Sequence, residues 1–223
     1  MKLALFDLDH TLLPLDSDHA WGEFTARIGW VDAQAFKRRN DAFYAQYQSG
    51  ALDIHDYVRF ATEAARKAGR EAAEQARARF MREVIAPAIR PPALALLAAH
   101  RGAGEQLAII TSTNEFVTRP IADALGVPEL IAVNLARDAG GWITGEIAGT
   151  PSFRAGKVAR MDEWLRARGL DWGGAEITFY SDSCNDLPLL EKADHPVAAN
   201  PEPALRRIAQ ERGWRVLDLF EPS

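Results

Sequence analysis

The chain contains a single cysteine, Cys184, so no intrachain disulfide framework can hold it together. It has no apolar run approaching the roughly 20 residues that a membrane-spanning helix needs. A long basic run is also missing: 26 Lys and Arg stand against 31 Asp and Glu, a net charge of -5 with the basic residues scattered. That balance argues against a general nucleic-acid binder. Internal repeats and low-complexity tracts are absent. The opening Met1-Lys2-Leu3-Ala4-Leu5-Phe6 meets Asp7 before the apolar core of a signal peptide could form, which leads us to expect a soluble, cytoplasmic protein. Nothing in the sequence distinguishes a monomer from a homodimer.

What is present is the composition of an ordinary globular protein: 48% hydrophobic and 26% charged residues over a length of 223, enough for one sizeable core with an appendage. Leu3 to Phe6 reads as a buried strand whose tip carries Asp7-Leu8-Asp9-His10-Thr11. Four helical patterns follow. Ser17 can cap one containing Trp21, Phe24 and Ile28; Asp32 can cap a second with Phe36, Phe43 and Tyr47, stopped by Gly50. A third spans about 54–68, closed by Gly69, and a fourth about 71–85. Pro87, Pro91 and Pro92 should then break the chain.

Strands and helices alternate afterwards. Strands are expected at 107–110, 130–133, 177–180 and 196–199, helices at 115–125, 157–168 and 203–212, and a hairpin turn at Gly140-Gly141. Short apolar strands separated by amphipathic helices indicate an α/β fold with a Rossmann-like parallel sheet covered on both faces. The helical block interrupts it after the first strand. We therefore expect a core domain of residues 1–15 and 88–223 and an inserted helical cap of residues 16–87.

Open parallel sheets place ligands beyond the carboxyl ends of their strands. Asp7 and Asp9, the segment Thr111-Ser112-Thr113-Asn114, and Asp182 with Asp186 all fall there, and Lys157 starts a helix nearby. Singly, each has a plain structural explanation. Strand-end aspartates make turns, Thr113 or Asn114 can cap a helix, and helical lysines are usually solvated. Together they put four carboxylates, a hydroxyl and an ammonium at one sheet edge. Such carboxylates raise one another's pKa unless a cation neutralises them, and an all-oxygen donor set favours a hard ion such as Mg2+. Thr111 and Lys157 suit a phosphate group, so the cluster points to phosphoryl transfer from a small phosphate ester.

The series Asp7-Leu8-Asp9-His10-Thr11-Leu12, then Thr111, then Lys157, then Ser181-Asp182-Ser183-Cys184-Asn185-Asp186 resembles the four motifs of the haloacid dehalogenase superfamily. The helical insert after the first motif is similar to the cap of its phosphoserine phosphatase-like and histidinol-phosphate phosphatase-like branch. The resemblance implies Asp7 as nucleophile and Asp9 as general acid and base, with Thr111 and Lys157 holding the phosphate. It implies Mg2+ held by the Asp7 carboxylate, the Asp9 main-chain carbonyl and Asp182, supported by Asp186. It also implies that Asn185 and Ser112 contact the substrate, and that Asp16, in place of a cap glutamate of the phosphoserine phosphatases, reads an amino group. The competing reading of Asp16-Ser17-Asp18 is a helix N-terminus with favourable charges. Ser181 and Ser183 stand where the family often has glycine, and His10 replaces a small residue; we read His10 as structural. Arg59 and Arg82 could add positive charge from the cap. Trp21, Phe24, Phe43, Tyr47 and Tyr57 read as the cap's own core.

Two rivals are weighed. A receiver-like phosphate-sensing module also joins acids, Thr and Lys on a parallel sheet, but it needs neither Asp9 nor a cap. A halogen-cleaving hydrolase needs neither a leaving-group acid nor the Asp182 and Asp186 pair.

Overall fold

The computed structural model describes residues 1–49 and 51–220. Six parallel strands make the central sheet, in the order β3-β2-β1-β6-β7-β8. They are β1 (Lys2–Phe6), β2 (Gln106–Asn114), β3 (Glu129–Val133), β6 (Glu176–Ser181), β7 (His195–Ala199) and β8 (Arg215–Leu217). β1 lies between β2 and β6, with Phe6 opposite both Ile109 and Tyr180. The chain winds outward from β1 in both directions, so the tip of β1 is the switch point where an open sheet leaves a crevice.

Alternation along β1 feeds two apolar layers. Leu3 and Leu5 enter one with Met161, Leu165 and Phe179. Ala4 and Phe6 enter the other, which runs without a break into Trp21, Phe24 and Phe80 of the inserted helices. The insert is thus built onto one face of the sheet instead of around a separate apolar centre, and Trp21 stacks against Phe24 and meets Phe80 and Phe116 edge-on.

The insert comprises α1 (Ser17–Arg27), α2 (Ala33–Ser49), α3 (Ile54–Ala68) and α4 (Arg70–Phe80), which passes through a π turn (Met81–Ile85) into α5 (Ala86–Ala88). The N-cap of α1 is Asp16, whose side chain accepts from His19 N, whereas Ser17 is the first helical residue. Asp32 accepts from Ala35 N at 2.7 Å and Asp53 caps α3, which ends at Gly69 as expected. The stop assigned to Gly50 lies outside the described residues.

Pro87 does not break the chain where the sequence suggested. It sits in the first turn after the π turn, where a proline's missing N–H is tolerated. Pro91 and Pro92 begin a helix, α6 (Pro91–Gly102), for the same reason. The remaining helices are α7 (Glu115–Ala124), α8 (Ala155–Arg166), α9 (Leu187–Leu190) and α10 (Pro203–Arg212).

A hairpin of β4 (Leu135–Arg137) and β5 (Ile143–Ile147) turns through Gly141 at φ 74° and clasps α3. Arg59 reaches Glu146 at 2.9 Å, and a side chain at Gly145 would begin 2.5 Å from Arg66 Nε. Arg59 therefore ties the insert to the hairpin, and exposed Arg82 donates to the carbonyl of Ala78; neither lends charge to the sheet edge.

Candidate active site

β1 ends in Phe6, and Asp7 N donates to the Tyr180 carbonyl at 2.9 Å, which carries the strand pairing one residue into the loop. The Asp7 carboxylate is consequently buried at the switch point, 7% exposed. Lys157 arrives from the first turn of α8 and is 2% exposed. Its ammonium donates to Asp7 Oδ1 and to Asp186 Oδ2, both at 2.7 Å. Thr11 Oγ1 lies between Asp7 Oδ2 (3.3 Å) and Asp182 Oδ1 (3.4 Å), so those two carboxylates flank one hydroxyl.

One ammonium among these acids does not balance them. Burial pushes the Asp7 carboxyl up to about 7, Lys157 opposes, and the charges of Asp186 and Asp9 add to the rise. Asp182 is raised well above the ordinary range by burial, then by Asp7 and Asp186. Burial alone would lower the Lys157 ammonium, but Asp186 and Asp7 outweigh it and raise it. The cluster wants positive charge.

Asp9 is held apart from Lys157. Its Oδ1 accepts from Ser17 N and its Oδ2 from Thr113 Oγ1, each at 2.8 Å. Burial lifts it to about 6, helped by Asp16 and restrained by the hydrogen bonds of Ser17 and Thr113. The two aspartates of the β1 loop therefore sit in different surroundings, one against a fixed ammonium and one in a neutral cradle made by α1 and β2.

The third strand end is more engaged than its motif suggested. Thr111 is buried, its Oγ1 accepting from Thr113 N at 3.1 Å and its carbonyl from Ser152 Oγ at 2.6 Å. Ser112 Oγ donates to the Ser152 carbonyl at 3.0 Å. Asn185 Oδ1 accepts from Arg154 Nε at 3.0 Å. Asp16 is exposed and caps α1, as its competing reading had it. His10 is exposed with φ 55°, and its carbonyl accepts from Asn200 Nδ2 at 2.9 Å, a structural task.

Ser181 and Ser183 use the hydroxyls that glycine would lack. Ser181 Oγ donates to Asp186 Oδ2 at 2.7 Å, while Ser183 caps the turn at Asn185 and meets Tyr47 OH at 3.4 Å. Sequence reasoning passed over Thr113, Ser17 N, Arg154 and Tyr47. Arg154, at φ 51° immediately before α8, donates to the Tyr47 carbonyl as well as to Asn185. The end of α2 thus reaches the Asp182–Asp186 loop. Thr113 was visible only as part of a Thr-Ser-Thr-Asn run, while the other contacts come from segments far apart in sequence.

The sequence matches the haloacid dehalogenase-like hydrolase family over residues 4–191, which includes each of these motif residues. The chain belongs to that family. A histidinol-phosphatase of Neisseria meningitidis is 41% identical over 218 residues, covering 97% of this chain and 98% of that protein. A crystal structure from Bordetella pertussis Tohama I, described as a protein with unknown function, is 48% identical with a TM-score of 0.92, over 98% of this chain and 99% of that one. A substrate-bound phosphoserine phosphatase shares the fold, with a TM-score of 0.63 at 19% identity over 97% of this chain and 92% of that one. The chain is a phosphatase of this family.

Proposed function

We propose that this haloacid dehalogenase-like phosphatase is a Mg2+-dependent phosphomonoesterase that cleaves a small, polar, amino-bearing phosphate ester through a phosphoaspartate on Asp7. The observation that carries the reading is the different setting of the two β1 aspartates, Asp7 against Lys157 and Asp9 in the cradle of Ser17 N and Thr113. One is held as a nucleophile, the other as a proton carrier.

Among the described residues no group of three or more His, Cys, Asp and Glu side chains has metal-ligating spacing. A cation here would be held by the carboxylates of Asp7 and Asp182, the Asp9 carbonyl and water, with Asp186 behind Lys157. That oxygen-only, partly hydrated set is the manner of Mg2+. The raised pKa values of Asp7 and Asp182 fit a site that expects positive charge. When bound, the ion draws charge from the phosphoryl oxygens.

The chemistry of the chain's own groups then follows. An Asp7 carboxylate oxygen attacks phosphorus while the ester oxygen departs, taking a proton from Asp9. Asp9, now a carboxylate, takes a proton from water, whose oxygen attacks the same phosphorus. The P–O bond to Asp7 breaks, and inorganic phosphate leaves with the carboxylate restored. Lys157 and Thr111 are proposed to steady the phosphoryl group, with Asn185 and Ser112 beside it. Residues 16–87 serve as the cap, where Asp16 faces the leaving alcohol.

Histidinol phosphate heads our candidate esters, a choice supported by the 41% identity to a histidinol-phosphatase over 97% of this chain. The test is a panel of phosphate esters assayed with Mg2+ and ranked by kcat/KM. Amino-alcohol phosphates should lead, and a panel without turnover of any ester would overturn the proposal.

A further inference from the structure

The acids of this region continue beyond Asp9 into the insert. Asp18, in the first turn of α1, is 6% exposed and takes no part in the chemistry above. Its Oδ1 accepts from Asn114 Nδ2 at 3.1 Å, and Tyr57 also donates to it. Asn114 follows Thr113, the residue that holds Asp9, so Asp9 and Asp18 are separated by one short hydrogen-bonded link along the tail of β2.

Asp18 also lines a cavity of about 90 Å³ between α1, α2 and α3, with Phe36, Phe60 and Tyr57 among its walls. The charged groups lining it are Asp18, Glu63 and Arg39. Arg39 donates to Glu63 at 2.7 Å and lies over the Phe60 ring, so that pair is internally balanced. Among the described residues lining the cavity Asp18 has no cationic partner and is served by the neutral donors of Tyr57 and Asn114, so a cation entering the cavity would draw off its proton and pair with the carboxylate. Burial raises its carboxyl to about 8, with Asp16 and Asp9 adding to the rise, which is the signature of a carboxylate lacking its counterion.

We propose that this cavity receives the cationic end of the leaving alcohol, a protonated amine or an imidazolium, with Asp18 as its counterion and the aromatic walls as its flanks. The inference rests on the phosphomonoesterase reading and names the substrate class for that same site. An aromatic wall attracts a small cation as well as fitting a flat ring. The volume is below the roughly 150 Å³ that accommodates a benzene ring, which suits an ammonium or one five-membered azole. Ester oxygen at Asp9 and cation at Asp18 are then served by adjacent residues, Thr113 and Asn114.

The test compares three alkyl esters, ethanolamine phosphate, histidinol phosphate and neutral glycerol 1-phosphate, with an aryl phosphate as reference. The unaltered enzyme should favour the cationic esters over the neutral one by roughly tenfold or more in kcat/KM. Asp18→Asn should erase most of that preference, chiefly through KM. Ala64→Val, which narrows the cavity, should weaken histidinol phosphate selectively if the imidazole occupies it, and both cationic esters alike if the amine does. Because Asp18→Asn could fail to fold, free histidinol and ethanolamine should also be tested as competitive inhibitors of the unaltered enzyme, with ethylene glycol as the neutral control. No preference for cationic esters, no selective inhibition by the free cations, or a folded Asp18→Asn variant that keeps the preference would overturn the inference while leaving the phosphatase reading in place. Failure to hydrolyse even the aryl phosphate would remove both.

Discussion

Replacing Lys157 with Met should destabilise the protein in a manner that depends on pH. The side chain is 2% exposed and touches two carboxylates at 2.7 Å. At an effective dielectric near 20 each contact contributes about 6 kcal/mol of Coulomb attraction, most of it offset by stripping water from three charges. Removing one partner of such a buried group leaves a net loss of about 3–5 kcal/mol. In a domain of this size each kcal/mol moves Tm by about 2–4 °C, so Tm should fall by about 10 °C.

The pH dependence follows from Asp7. Its folded pKa is already raised to about 7 with Lys157 present, and without the ammonium it must rise further. A carboxyl raised on folding contributes stability that is present below its unfolded pKa and lost as pH climbs through the folded value. At about pH 6 Asp7 is largely protonated in both proteins, whereas at about pH 8.5 the unaltered protein bears a carboxylate beside Lys157 and the variant bears one without a partner. The deficit should therefore be larger at the higher pH. Thermal unfolding in chelator, recorded at both pH values, reads this directly. A variant that melts with the unaltered protein at high pH, or whose deficit is larger at low pH, would refute the charge accounting.

Further outcomes follow from the same geometry. Mg2+ must compete with protons on Asp7 and Asp182, both raised, so its apparent affinity should tighten as pH rises from about 6 to about 8, with protons released on binding in calorimetry; a flat affinity would contradict the donor set. Activity should vanish in chelator and return with Mg2+, while Ca2+, larger and less strict in geometry, should substitute poorly. Thr113→Val should reduce turnover of alkyl esters by roughly tenfold and of aryl phosphates much less, with Thr113→Ser restoring it, because only poor leaving groups need a well-aimed proton from Asp9. Asp16→Ala should lose about 1 kcal/mol of helix capping and discrimination among esters, whereas Asp16→Asn keeps the cap and should lose discrimination alone; equal losses on every ester in Asp16→Asn would leave Asp16 a purely structural cap.

Much of this arrangement could be read from residue order. An apolar run cut short by Asp7 marks a strand tip wherever it occurs, and the unbroken apolar run of Leu3 to Phe6, all four buried, suits a sheet covered on both faces. The motif series placed Lys157 with Asp7 although 150 residues separate them. What escaped was context. Pro91-Pro92 looks like a break until it is seen to occupy the first turn of a helix, and Pro87 is accommodated by a π turn that no local pattern announces. Ser17 and Asp16 are both good cap residues; Asp16 takes the position by accepting from His19 N, while the Ser17 N–H goes to Asp9. Asp18 offered no local sign of burial, because its surroundings come from β2, α2 and α3.

The covalent role of Asp7 is tested most directly by intact-mass measurement on Asp9→Asn after brief incubation with an aryl phosphate and Mg2+. This substitution keeps Asp7 and Lys157 in contact while removing the group that must take a proton from water. A good leaving group departs without an acid, so the first half of the reaction should proceed slowly and the second should stall. The account predicts one added phosphoryl group, released at alkaline pH as an acyl phosphate is, and none on Asp7→Asn. A stable phosphoryl group on the unaltered protein would indicate a receiver, and an Asp9→Asn protein that turns over substrate yet never carries the group would mean that water attacks phosphorus directly and Asp7 is not the nucleophile.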